Sequence, residues 1–207
     1  RIFFPMMISL PSDHTKFNAT TVCPVVQGYP NICQNTDEPE KNYGVPMDQP
    51  IFHWANTKLR RSQTIDWFHD NWNIDRKTLD KAVTEGEKAL NNYRTTLLEE
   101  GQKILDDVKA NNSFAVVIAG RPYHADLLIN HNIASHFTAM GIPVLTTESL
   151  PGVYDQDVPS HTRMEMKNTF HLRMLGATMI ASRDPNVELA QIVSFGCGHD
   201  SVLSAEM

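Results

Sequence analysis

The sequence is poor in cysteine, in long apolar runs and in excess positive charge, and each shortage removes a class of protein. Three cysteines in 207 residues, Cys23, Cys33 and Cys197, are odd in number and widely scattered, so no disulfide framework holds the chain. No secretory h-region precedes them, which points to a reducing, cytoplasmic compartment. No apolar stretch approaches the roughly 18 residues of a membrane span, which excludes a helical membrane protein. Eighteen Lys and Arg against 24 Asp and Glu, with a pI near 5.8, leave no basic footprint for nucleic acid or anionic lipid. Neither Gly-x-Gly-x-x-Gly nor Gly-x-x-x-x-Gly-Lys-Ser/Thr occurs, so both nucleotide fingerprints are missing. Ser194 and Ser201 lack a nucleophile-elbow context.

What remains is globular in character. A hydrophobic content of 41%, a charged content of 20% and a mean hydropathy of −0.33 suit one large domain or two small ones, long enough to bury a core. The chain starts at Arg1 and enters Ile2-Phe3-Phe4 at once, and it stops at Ser204–Met207 inside what reads as a helix. Both ends are those expected of a piece of a longer polypeptide.

Residues 1–9 read as a short buried strand interrupted by Pro5. Cys23-Pro24 opens a helix with Val25, Val26, Tyr29 and Ile32 on one face, kept short by Gly28 and Pro30. Residues 35–50, with three prolines and an acidic cluster, read as a surface loop. Two helices follow, at about 57–71 and from Asp75 to Asn111-Asn112, the second with Leu79, Val83, Leu90, Leu97, Ile104, Leu105 and Val108 at helical spacing. Phe114–Ala119 is a β-branched run suited to a strand buried on both faces. Then come a helix (126–140), a strand (142–146), a loop (151–159), a Met-rich helix (161–182), a strand (189–195) and a helix from Gly198. This order predicts an α/β fold with Rossmann-like parallel sheet layers and a helical connector. Residues 1–55 form the end of a first α/β lobe, 56–112 the connector and 113–207 a second Rossmann-like lobe.

Ligands of open α/β sheets gather at the carboxyl ends of strands. Two segments fall there: Ala119-Gly-Arg-Pro-Tyr-His124 and Ser194-Phe-Gly-Cys-Gly-His-Asp200. In the second, glycines flank a cysteine at a strand-to-helix turn, near helix N-terminal amides that favour a thiolate for metal ligation or attack. Cys23-Pro24 has the same local logic, and Cys33 is a further candidate, its alternative being packing filler. No Cys-x-x-Cys or Cys-His cluster with zinc spacing occurs. His131 and His136 do not share a helix face, which argues against a histidine metal site. Arg121 is placed either to grip phosphate or carboxylate or to pair with a sheet-edge carboxylate. The methionines at 164, 166, 174 and 179 read as adaptable core.

Phe3-Phe4-Pro5, Val22-Cys-Pro-Val-Val-Gln-Gly-Tyr-Pro30, Val117-Ile-Ala-Gly-Arg-Pro-Tyr-His124, Ile129-Asn-His131, Val144-Leu-Thr146 and Ser194-Phe-Gly-Cys-Gly198 together give a resemblance. The chain resembles the large CoA-substrate-specific enzyme activases, which are related to the 2-hydroxyacyl-CoA dehydratases and to the activator of (R)-2-hydroxyglutaryl-CoA dehydratase. The resemblance implies a dehydratase-like region that binds an iron–sulfur cluster, of the 4Fe-4S type, for low-potential electron transfer to acyl-CoA chemistry. It implies metal ligation by Cys23 and Cys197, and an adjoining binding cleft of Arg121, Tyr123, His124, Asn130, Gly196 and Gly198. It further implies an acyl-CoA ligand and, as partners, the remainder of a longer chain with ATPase modules, with no nucleic acid and no membrane. Met6-Met7 stands where relatives often have a cysteine. That substitution keeps open a second reading, a non-catalytic interaction or regulatory α/β domain that has lost the cluster. A third is a small-molecule enzyme using Arg121 and His124 on a phosphate or carboxylate.

Overall fold

A computed structural model of the chain describes residues 1–13, 20–162, 168–194 and 196–207. They form a mixed α/β fold of helices and short parallel sheets, as the order of elements predicts. The chain divides into two compact units: Arg1–Ala89 with Lys167–Thr169, and Leu90–Met166 with Phe170–Met207.

The first unit contains β1 (Ile2–Phe3), β2 (Met6–Ser9), α1 (Pro24–Asp37), α2 (Pro39–Tyr43), β3 (Met47–Asp48), β4 (Ile51–His53) and α3 (Thr57–Trp72). Pro5 divides the expected first strand in two, and each half finds its own parallel partner: Ile2 beside Met47 in β1 and β3, Met6 beside Ile51 in β2 and β4. Neither half is fully buried; Ile2 and Phe3 are exposed and β2 is half-buried, because each belongs to a two-stranded sheet.

Helix α1 runs 14 residues, longer than its glycine and proline suggest. Pro24 occupies a first-turn position that needs no N–H, and Pro30, though inside the helix, is buried with its carbonyl accepting from Gln49 Nε2 at 3.1 Å. Val25, Val26, Tyr29 and Ile32, read as one face of this helix, are exposed. The segment 35–50 is more ordered than a loop: Glu38 at φ 41° ends α1, and Pro39 then starts α2. In α3, the Asn56 side chain accepts from the Leu59 N–H at 2.9 Å, and Asn73 at φ 54° closes the helix. Phe3, Trp67, Phe68 and Trp72 form an aromatic cluster, with Phe68 and Trp72 edge to face at 4.9 Å.

Helix α4 (Arg76–Ala110) begins where predicted, with Asp75 Oδ1 accepting from the Thr78 N–H at 2.9 Å, and ends before Asn112, left-handed at φ 50°. The second unit adds β5 (Ala115–Ala119), α5 (Ile133–Ala139), β6 (Val144–Thr146), α6 (Thr169–Ala181), β7 (Val187–Gln191) and α7 (Gly198–Glu206). Its parallel sheet has the order β6-β5-β7. Central β5 is buried at every position, as its unbroken apolar run demands. Val117, Leu145 and Val187 from the sheet pack with Leu105 and Val108 of α4, Leu150, Val153 and Ala177. Each of these valines and leucines contributes about 1.5–3 kcal/mol relative to exposure.

Several boundaries differ from expectation. The helix predicted over 126–140 is confined to α5, because His131 and Asn132 both adopt left-handed backbone, at φ 52° and 59°. The last strand ends at Gln191, so Ser194 and Cys197 lie on the loop beyond it. Of the predicted helix 161–182, Thr169–Ala181 is helical; Met164 and Met166 lie outside the described residues, as does Phe195 of the last strand.

Candidate functional site

Within the second unit, the loop after β5 and the loop after β7 meet. Gly120 makes the first turn possible: a Cβ there would lie 2.8 Å from His124 Nδ1. The turn closes when the Arg121 N–H donates to His124 Nδ1 at 3.1 Å, which leaves the ring proton on Nε2, 3.2 Å from Ser194 Oγ. Burial, and next the Arg121 charge, hold His124 below the usual histidine range, consistent with this neutral tautomer. Asn130 ties the following segment down by donating from Nδ2 to the His124 carbonyl at 2.9 Å.

The Arg121 guanidinium is the hub. Nη1 donates to the Tyr123 hydroxyl at 2.5 Å; Nη2 donates to Cys197 Sγ at 2.9 Å and to Asp200 Oδ1. Asp200 Oδ2 accepts from the Ser194 N–H at 2.7 Å. Burial pushes the Asp200 carboxyl up, but the Ser194 N–H and the Arg121 hydrogen bond and charge outweigh it and hold the group below the usual carboxylate range. Burial likewise opposes the Arg121 charge, and its hydrogen bonds to Cys197 and Asp200 reverse that, so the pair is ionised. His171 brings Nε2 to 3.3 Å from Asp200 Oδ1 without hydrogen-bond alignment. Burial first, and then Arg121, hold His171 below the ordinary histidine range.

Cys197 is half-buried at the N-cap of α7, between left-handed Gly196 (φ 80°) and Gly198, the first helical residue. Arg121, His124 and Asn130 line a cleft of about 70 Å³ with Ile118, Thr146 and Glu148, at the carboxyl ends of β5 and β6. Arg121 Nε has no hydrogen-bond partner among the described residues. Of the two roles open to Arg121, the structure displays the carboxylate pair, with Asp200 as partner.

In the first unit, Cys23 is the N-cap of α1 and Cys33 lies on the same helix. Ten residues of helix separate the two by about 15 Å along the axis, beyond the reach of one cluster. Among the described residues, no group of three or more His, Cys, Asp or Glu side chains is arranged to hold a metal ion. No described helix is long and apolar enough to cross a membrane.

The structure thus gathers Arg121, Tyr123, His124, Asn130 and Cys197, with Gly196 and Gly198 shaping the cysteine's turn. It adds His171, which sequence reasoning did not single out, and gives partners to Ser194 and Asp200, which the sequence marked only as the two ends of the segment after the last strand. Asp200 had one legible sign, an acidic residue in the first turn of a helix; His171, inside a helix, had none.

In comparisons with known proteins, no curated protein and no solved structure matched the chain. A family model described as CoA enzyme activase uncharacterised domain matches residues 1–150, a span that includes Cys23, Cys33 and the Arg121 turn but stops short of Cys197 and Asp200. The chain therefore belongs to the CoA enzyme activase uncharacterised domain family.

Proposed function

We propose that this chain is the dehydratase-like region of an activator-type protein of 2-hydroxyacyl-CoA dehydratase chemistry, contributing Cys23 and Cys197 to an iron–sulfur cluster. Family membership supports the activator-type role. The observation that carries the ligand assignment is Cys197 itself: a cysteine at a helix N-terminus whose sulfur accepts a hydrogen bond from a buried guanidinium at 2.9 Å. Such surroundings suit a sulfur that carries negative charge, as a metal ligand must.

The donor type fits an iron–sulfur cluster, whereas the donor number is incomplete. A 4Fe-4S cluster takes four cysteines, and two is the share assigned to this chain, so the remaining ligands come from outside the described residues. When bound, the cluster would supply low-potential one-electron transfer. The chain's own contribution is to orient Cys197 through Arg121 and to wall the neighbouring cleft with His124 and Asn130. Acyl-CoA is the ligand proposed for the full-length protein, and a longer chain with ATPase modules the proposed partner.

Anaerobic purification of the full-length protein followed by iron and sulfide analysis, with Cys23→Ala and Cys197→Ala in parallel, tests this reading. Bound iron that falls in both variants supports it; nil iron, or iron unaffected by either substitution, overturns it.

A second reading, an interaction domain without a cluster, draws on a specific observation. Met6 and Met7 stand in β2, paired with Ile51 and Phe52, and the Val25, Val26, Tyr29 and Ile32 face of α1 is exposed. Nil iron in the native protein favours it.

A further inference from the structure

Burying an ion pair is a poor way to stabilise a fold, because desolvation offsets most of the attraction and packed apolar residues often serve as well. Yet Arg121 is 9% and Asp200 1% exposed. Their arrangement suggests what the burial achieves. Asp200 is fixed at both oxygens, Oδ2 by the Ser194 N–H and Oδ1 by Arg121. A guanidinium is a rigid planar fork, so holding one edge decides where its other protons point. One of them points at Cys197 Sγ, 2.9 Å away. Gly120 and the His124 ring fix the same arginine from its backbone side.

We propose that Asp200, acting through Arg121, positions the Cys197 sulfur and supplies it with a charged hydrogen-bond donor. Asp200 does not itself touch the sulfur in this account; it is a positioning residue at one remove. The inference deepens the ligand role proposed for Cys197 and rests on that reading for its purpose, but it is measurable without any cluster.

The test is the rate of iodoacetamide labelling of Cys197, followed by mass spectrometry on the metal-free full chain with Cys23→Ser and Cys33→Ser. The thiolate is the reacting species, so a charged donor at the sulfur accelerates labelling. Arg121→Met is expected to slow it about tenfold, Asp200→Asn to slow it comparably although no direct contact is lost, and Arg121→Lys to restore part of the rate. A general structural role would not give this ordering among variants that remain folded. Should the variants fail to fold, a crystal structure of the native chain decides: the Asp200 carboxylate and Cys197 Sγ should both lie within hydrogen-bond reach of the Arg121 guanidinium. Unchanged rates in Arg121→Met or Asp200→Asn, or a native crystal structure with Cys197 Sγ out of reach of the Arg121 guanidinium, overturn the proposal. Iron content plays no part in this assay, so a missing cluster would sink the ligand reading and leave the positioning intact, and the reverse.

Discussion

Gly101 of α4 faces the backbone of Ser149 so closely that a Cβ would lie 1.8 Å from the Ser149 carbonyl oxygen and 3.3 Å from Pro151 Cδ. Alanine normally improves an exposed helix position over glycine by about 1 kcal/mol. Here the obstacle is backbone and cannot swing away, so Gly101→Ala is expected to destabilise the chain by about 2–3 kcal/mol. Gly86 on the same helix has nothing within 4 Å, and Gly86→Ala should stabilise. Urea midpoints of the two variants should move in opposite directions; a shared upward shift would contradict the packing.

The Arg121–Asp200 pair invites a double-mutant cycle. Removing either charge strands the other in a buried setting, at about 3–5 kcal/mol. Arg121→Met combined with Asp200→Leu removes both, and should cost clearly less than the two single losses added together. Additive losses would show that the two side chains do not depend on one another.

Acid should weaken the fold from the histidine range downward. His171 and His124 both have folded pKa values lowered from 6.5, His171 through burial and then Arg121. The unfolded chain therefore binds protons first, and stability, fully present above 6.5, falls as pH drops from there toward the lowered folded values. Asp200, lowered from 3.8, adds a second loss as pH falls below that value. Melting temperatures between pH 7.5 and 5 should decline, and His171→Gln should flatten the decline. An equal slope in that variant would remove His171 from the account.

Cys33 provides a discriminating control for iron binding. Its place about 15 Å along α1 from Cys23 predicts that Cys33→Ser leaves the iron content of the anaerobically purified protein unchanged. A loss equal to that of Cys23→Ala would require α1 to be remodelled on metal binding.

The parts of this fold that sequence discloses are those governed by local chemistry. Val117 and Ile118 announce a buried strand by their type, Asp75 and Asn112 announce the ends of α4, and Cys23 and Cys197 are both found at helix N-caps. What escaped prediction depended on distant partners or on backbone choices that residue type only permits. Asn132 could have been helical, yet it turns left-handed and truncates α5. Pro30 should have stopped α1, yet burial and the Gln49 contact carry the helix through it. At the site, Arg121 and Cys197 stood out by position, whereas the partnership with Asp200, 79 residues away from Arg121, became visible only in three dimensions.

The pairing of Ile2 with Met47, and of Met6 with Ile51, has a consequence in time. Each pair closes a stretch of chain that contains all of α1 and α2, and the entropy of that closure must be overcome before so few strand residues return any binding. The opening residues of the chain are therefore late arrivals during folding. Until they dock, Trp67 and Phe68 lack the Phe3 ring that packs against them, and refolding yield becomes a race between closure and association with other chains.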